Sequence, residues 1–291
     1  VLKLSSQVGK TEILNNVLGY YMDEDPGPVL FIWPSLEVAE AWSKDRLDSM
    51  IRDTPRLSAK FTTKSRDAGN TIRHKKFYGG HITIAGSNSP ASLSSRPCRI
   101  ILCDEVNRYP TSAGDEGDPI NLAVKRATTF WNRKVGVAST PTGKTGKITV
   151  EFENSDQRFC FVPCPHCGEY QTLKWKNLDF KENPDNPVYI CEENGCVIEH
   201  HDKQYMLMRH EWRAMKPFNG TAGFFLNELY SPWSTWRKMV KDFLEAQKLP
   251  DTLKTFINTS LAEEWDEDYV HGKAEISREG LAARCEDYPR D

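Results

Sequence analysis

Apolar residues in the first half of the chain fall into short runs that alternate with stretches at helical spacing. "VLKLS" opens the chain as a strand, and the apolar positions between Lys10 and Met22 recur every three or four residues, which predicts a helix. "GPVLFIWPS" is a continuous apolar run, the pattern of a strand buried on both faces. "SLEVAEAWSKDRLDSMI" returns to helical spacing, while "HITIAGS", "CRIILCDE" and "KVGVASTPT" predict three further strands. This rhythm predicts an α/β core over residues 1–155, with a mostly parallel sheet flanked by helices.

The pattern then changes. Over residues 156–200 Cys, Pro, Asn and Gly are frequent and the strands become short, which predicts a small inserted unit. From about Lys203 the chain reads as helical, with "WSTWRKMVKDFLEAQ" and "DTLKTFINTSLAEEW" as two amphipathic segments. Residues 201–270 are therefore expected to complete the first domain as a C-terminal helical subdomain. The last stretch, 271–291, reads as a linker or the start of a further, truncated domain.

The 291 residues are 38% hydrophobic, ample for one large core with a small satellite. A net charge of −3 gives no global basic field, so any nucleic-acid partner must be held by local patches. No run of about 18 apolar residues exists, so no membrane helix is expected. No signal peptide is legible, and a first strand that begins without an initiator Met reads as a piece of a longer protein.

Candidate chemistry starts at "SSQVGKTE", Ser5 to Glu12, which ends like a phosphate-binding loop. The pattern's first glycine is replaced by Leu4. Gly9 lets backbone approach a phosphate, Lys10 supplies a point charge for β- and γ-phosphates, and the Thr11 hydroxyl suits Mg²⁺. The candidate nucleotide-contacting set is Gln7, Gly9, Lys10, Thr11, Glu12 and Asp104. Asp104 and Glu105 end the apolar run "RIILCDE", where a central strand delivers acidic residues to a sheet edge. Asp104 can hold the Mg²⁺ and Glu105 can polarise an attacking water, so Glu105, Lys10 and Asp104 are the candidate catalytic residues. "GKT" or a terminal "DE" alone also suits an ordinary loop or strand end. Together they put both motifs at the carboxyl edge of one parallel sheet, where open α/β folds bind ligands.

A third strand ends in Ser139, Thr140, Pro141 and Thr142, hydroxyl-rich residues suited to sense the γ-phosphate and pass its state on. A plain turn has the same composition. The second "GKT", Gly143 to Thr145, leads into "KITVEF", which reads as extended and so offers no helix N-terminus. In "GSNSPASLSSRPCR", Arg96 and Arg99 suit a DNA track, a phosphate contact or a solvated loop.

Four cysteines form two pairs, Cys164-x2-Cys167 and Cys191-x4-Cys196, separated by 23 residues. Two thiolate pairs on tight turns close a tetrahedral structural Zn²⁺ site, and Gly168 and Gly195 suit the knuckles. His166 lies between two ligands and can compete. Cys98, Cys103, Cys160 and Cys285 read as apolar fillers. Lys174, Trp175 and Lys176 suit either a nucleic-acid surface or snorkelling lysines around a core Trp.

The order "SSQVGKTE", "GSNSPASLSSRPCRIILCDEVNRYP", "VGVASTPTG", "CPHCGEYQTLKW" with "CEENGCVIEH", and "FINTSLAEEWDE" resembles the large terminase subunit of lambda-like tailed phages over nearly the whole chain. The resemblance implies a P-loop NTPase of the ASCE type with an inserted four-cysteine zinc ribbon. It also implies an ATP- and Mg²⁺-dependent motor moving double-stranded DNA into a procapsid through the portal, in the cytoplasm of the infected host. A small terminase subunit and a homo-oligomeric ring are implied as partners, and nuclease activity is expected only from a C-terminal domain mostly absent here. Lys10 and Thr11 fall on the Walker A positions, Asp104 and Glu105 on Walker B and the catalytic glutamate, and Ser139 to Thr142 on the coupling motif. Many such proteins carry an arginine finger where this chain has Ser6, so Lys3, Arg96, Arg126 or Arg133 is expected to replace it. An adenine-contacting segment upstream of the loop is also missing. Two readings stand beside this one: a non-enzymatic zinc-ribbon module that binds nucleic acid or a partner, and another helicase-like nucleic-acid ATPase.

Overall fold

The computed structural model describes residues 1–61, 70–94 and 96–266. In chain order the first half runs β1 (Leu2–Leu4), α1 (Lys10–Asp23), β2 (Pro28–Trp33), α2 (Leu36–Trp42), α3 (Asp48–Asp53) and α4 (Pro55–Ser58). It continues through β3 (His74–Phe77), β4 (Gly80–Gly86), α5 (Pro90–Ser94), β5 (Ile100–Asp104), α6 (Pro119–Arg126), β6 (Lys134–Ser139) and α7 (Lys147–Glu153). The second half holds β7 (Arg158–Pro163), β8 (Tyr170–Gln171), β9 (Leu178–Asp179), β10 (Val188–Ile190), β11 (Val197–Ile198) and α8 (Lys203–Leu207). Then come β12 (Glu211–Ala214), β13 (Phe224–Leu226), α9 (Trp236–Ala246) and α10 (Pro250–Phe256).

Nine strands line up as β12-β7-β13-β1-β6-β5-β2-β4-β3, with β8 paired to β7 as the tenth. Every pairing from β7 to β4 is parallel, and β12 and β3 close the two ends antiparallel. The central strands are apolar without alternation because both faces are covered: all five residues of β5 are buried, and five of six in β2. One face packs Leu14, Leu18 and Met22 of α1 against Phe31, Trp33 and Trp42; the other packs Ile32 and Ile101 against Leu93, Ile120 and Ile148.

Three features depart from the expectation. "KITVEF" is helical: α7 starts beside Gly146 and buries Ile148, Thr149 and Phe152, so packing overrides the β-branched propensity of the segment. The segment after Lys203 is not wholly helical, because it also supplies β12 and β13. β13 lies beside β1 in the middle of the sheet, and β7, at the start of the Cys-rich stretch, is a main-sheet strand too. The expected helix after "PS" forms as α2 and α3 joined by a π-turn over Ser43–Leu47.

The small sheet β11-β10-β9 is antiparallel and carries the second cysteine pair. It shares one core with α9 and α10: Tyr189 lies against Trp236, and Trp175 is ringed by Phe180, Phe243 and Phe256. Trp175 is thus packed half-buried against that core, while Lys174 and Lys176 reach outward to Glu192. Cys98, Cys103 and Cys160 are buried fillers. Cys285 and the expected linker 271–291 lie outside the described residues.

Candidate nucleotide site and metal centre

β1 ends at Leu4, whose side chain is buried in the core where the phosphate-loop pattern has glycine. The next residues are tied sideways: the Ser5 N–H donates to the Leu226 carbonyl of β13 at 2.8 Å, and the Ser6 N–H and hydroxyl both donate to the Thr259 carbonyl. The chain then turns through two left-handed positions, Gln7 (φ 58°) and Gly9 (φ 85°). Gly9 takes that conformation freely, whereas Gln7 holds it under strain. Gly9 caps the 14-residue helix α1 without any side-chain cap bond, which leaves first-turn N–H groups facing the loop, as an anion site needs.

The Lys10 ammonium is buried, donates to the Ser5 carbonyl at 3.1 Å and lies 3.8 Å from Glu105 Oε1. Burial lowers its pKa, opposed by the charges of Glu105 and Asp104. The Thr11 hydroxyl donates to Asp104 Oδ2 at 2.6 Å. This bond joins the two motifs across the sheet, because β6 lies between β1 and β5 and all three strands run parallel. Asp104 is fully buried, and burial raises its pKa against the bond from Thr11. A hydroxyl and a carboxylate meeting beside open helix N–H groups are the donor set that Mg²⁺ on a phosphate takes, so the residues fit that ion.

Glu105 has a left-handed backbone (φ 55°), and its N–H donates to Asp104 Oδ1 at 2.9 Å. Its carboxylate stands between Lys10 and Arg108, whose Nε is 3.9 Å from Oε2. Gln7 is exposed at the loop tip, and Glu12 is turned aside to pair with Arg46.

Asn107, which the sequence reading did not single out, fastens the segment Ser139 to Thr142. Its side chain donates to the Thr140 carbonyl at 2.9 Å and to the Thr142 hydroxyl at 3.3 Å, and accepts from the Ile148 N–H at 2.8 Å. Its own N–H donates to the Ser139 hydroxyl at 3.3 Å. Pro141 is buried within this loop.

None of the four expected finger substitutes reaches the Glu105 carboxylate. The Lys3 ammonium is buried in an ion pair with Glu264, flanked by the Phe152 and Phe225 rings. Arg96, Arg126 and Arg133 sit at the opposite, amino-terminal edge of the sheet. Arg96 precedes β5 and stands near His74 and His81, the Arg126 carbonyl accepts from the Cys98 N–H, and Arg133 immediately precedes β6. A strand such as β5 or β6 separates that edge from Asp104 and Ser139 by roughly 15–20 Å. Arg99 is held at the same edge by Asp25. Among the described residues, the arginine that does stand beside Glu105 is Arg108. Its only sequence signal is its place three residues after the acidic pair.

The sulfur atoms of Cys164, Cys167, Cys191 and Cys196 all lie within 4.8 Å of one another. Cys167 and Cys191 are 3.8 Å apart, the edge of a tetrahedron with Zn–S bonds of about 2.3 Å. Both knuckles use one turn: Gly168 (φ 81°) donates to the Cys164 carbonyl and Gly195 (φ 65°) to that of Cys191, each at 3.0 Å. Four thiols converging on one point with matched turns fit a tetrahedral cation, and His166 is not among the converging groups.

A phosphate-loop-like turn on the first of seven parallel strands, with an acidic pair two strands away, defines a mixed α/β protein of the class of phage terminase ATPase domains. Residues 1–212 match the family described as phage terminase large subunit gpA, ATPase domain, and residues 221–291 match the terminase large subunit gpA endonuclease domain. The chain belongs to the gpA family of phage terminase large subunits. The large terminase subunit of Enterobacteria phage P21 is 30% identical over 296 residues, and that of Escherichia phage lambda 27% over 293. Each alignment covers 90% of this chain and 45% of the relative, so the chain spans about half the length of the curated relatives it matches. Among solved structures, the ATPase domain of the Thermus phage P74-26 large terminase aligns over 90% of this chain and 87% of that one, with a TM-score of 0.49 and 14% identity. The second family match begins at residue 221, so it includes β13, a central strand of the same sheet as the loop.

Proposed function

We propose that this chain is the ATP-hydrolysing motor portion of a terminase large subunit, driving double-stranded DNA into a procapsid. The observation that carries the reading is the 2.6 Å bond from Thr11 to Asp104, which assembles a metal-and-phosphate site from two motifs far apart in sequence. In this site Gly9 and the first turn of α1 receive the β-phosphate, and Lys10 leaves the Ser5 carbonyl to meet the γ-phosphate. Thr11 and Asp104 would hold Mg²⁺, which when bound would offset the negative charge that develops at the phosphates. Glu105 orients the attacking water, and Arg108, beside it, stabilises charge at the γ-phosphate. Asn107, two residues on, transmits a shift of Glu105 to Ser139, Thr140 and Thr142. Zn²⁺ on the four cysteines braces the insertion rather than reacting, since four thiolate ligands leave no open position.

The family also supports a small terminase subunit and the portal as partners, a ring of copies, and action in the cytoplasm of the infected host. Among the described residues no helix is long and apolar enough to cross a membrane. The motor unit comprises 1–163 together with about 201–266, with the ribbon inserted between; the positions of β7 and β13 in the main sheet support that division.

The test is ATP turnover and MgATP binding by wild type, Glu105→Gln and Lys10→Ala. Glu105→Gln should bind MgATP and lose turnover by about two to three orders of magnitude, while Lys10→Ala weakens both. Wild-type turnover in Glu105→Gln would sink the assignment.

A further inference from the structure

The turn after β13 carries an aromatic residue that neither the phosphate loop nor the acidic pair uses. Trp233 is 74% exposed, unusual for an indole. It nevertheless stands at the phosphate loop: a β-carbon on Gly9 would lie 3.8 Å from its Cη2 and 4.0 Å from its Cζ3. The turn beneath it is fixed by buried polar groups. Lys203 Nζ donates to the carbonyls of Ser231 (2.5 Å) and Ser234 (2.8 Å), the Ser234 hydroxyl donates to Glu228 at 2.6 Å, and the Trp233 N–H donates to Ser231 Oγ at 3.3 Å. Lys203, Glu228, Ser231 and Ser234 are all buried. A rigid support under an exposed ring is a pre-organised stacking surface.

The sheet order says which end of a nucleotide comes here. Asp104 and Glu105 lie beyond β6 on one side of β1, so the γ-phosphate points that way. The rest of an extended nucleotide must then leave the loop on the other side of β1, the side of β13 and of the turn that follows it. We propose that the Trp233 indole is the stacking platform for the base of the bound nucleoside triphosphate. This inference rests on the phosphate-site reading above and adds the base subsite to it. Stacking uses the π-face that every base has, and the larger purine gains most from it.

The experiment measures binding of two probes, MgATP and magnesium tripolyphosphate, to wild type, Trp233→Ala and Trp233→Phe by calorimetry. Trp233→Ala should weaken MgATP binding about tenfold and leave tripolyphosphate affinity unchanged, because tripolyphosphate has no base to stack. Trp233→Phe should recover most of the loss, since it keeps an aromatic face. Unchanged MgATP affinity in Trp233→Ala overturns the proposal while the phosphate site stands. An equal loss for both probes also overturns it, since it would mean a disturbed loop. If wild type binds neither probe, the phosphate-site reading fails first and the base subsite with it.

Discussion

Glu264 accepts hydrogen bonds from both the Lys3 ammonium and, at 2.8 Å, the Thr149 hydroxyl, which ties the strand before the phosphate loop to a residue in the endonuclease-matched segment. Burial alone would raise the Glu264 pKa, but the Lys3 and Thr149 bonds and the Lys3 charge outweigh it and hold the carboxyl below its ordinary 4.5. A depressed carboxyl pKa stabilises the fold above the unfolded value, and that contribution is lost as pH falls through the lowered one. Glu264→Gln should therefore lower the urea midpoint at pH 7, with the gap to wild type closing as pH drops below about 4.5. A gap that stays constant with pH would show that the charge of Glu264 adds nothing.

Lys3 serves the fold, so Lys3→Met should cost about 2 kcal/mol by leaving the half-buried Glu264 carboxylate with Thr149 but without its cation. Turnover per folded molecule should stay near wild type. A collapse of kcat with unchanged stability would instead make Lys3 the missing finger.

Arg108 stands closer to the Glu105 carboxylate than any of the arginines expected from the sequence. Arg108→Ala should lower kcat about a hundredfold with little change in KM, the mark of an interaction made chiefly in the transition state. Arg126→Ala and Arg133→Ala, at the far edge of the sheet, should leave basal turnover of the isolated chain unaltered.

Asn107→Ala removes side-chain bonds to Thr140, Thr142 and Ile148 at once. A loss of about 2 kcal/mol in stability is expected, with MgATP affinity retained. If Asn107 carries the signal, stimulation of turnover by DNA should fall more than basal turnover; an equal fall in both would reduce it to a brace.

One zinc per chain should be found by elemental analysis and lost on chelation or in Cys167→Ser. Because Tyr189 and Trp175 share a core with α9 and α10, metal loss should also loosen that core, read as a drop in the melting temperature and in the protection of the Trp236 indole. A protein that melts unchanged without metal would remove the bracing role.

The parallel sheet, helix α1, the acidic pair and the four cysteines were legible in the chain itself. Each is a local pattern: continuous apolar runs for strands buried on both faces, helical spacing from Lys10, and cysteine pairs at metal-ligand spacing. What the chain left open depended on partners distant along it. β13 is three residues without alternation, and it is a strand because the edge of β1 needs a neighbour. "KITVEF" suits a strand by propensity, yet burial of Ile148 and Phe152 beneath the sheet makes it a helix. Among the basic residues, spacing could not say which stands beside the acidic pair. Strand direction decides that, placing Arg96, Arg126 and Arg133 at the amino edge and Arg108 at the carboxyl edge. Short-range periodicity therefore determined most of the elements and their candidate chemistry, whereas the tertiary structure decided β13, α7 and the company all of them keep. Pairing across a sheet joins residues such as Thr11 and Asp104 that no local pattern connects.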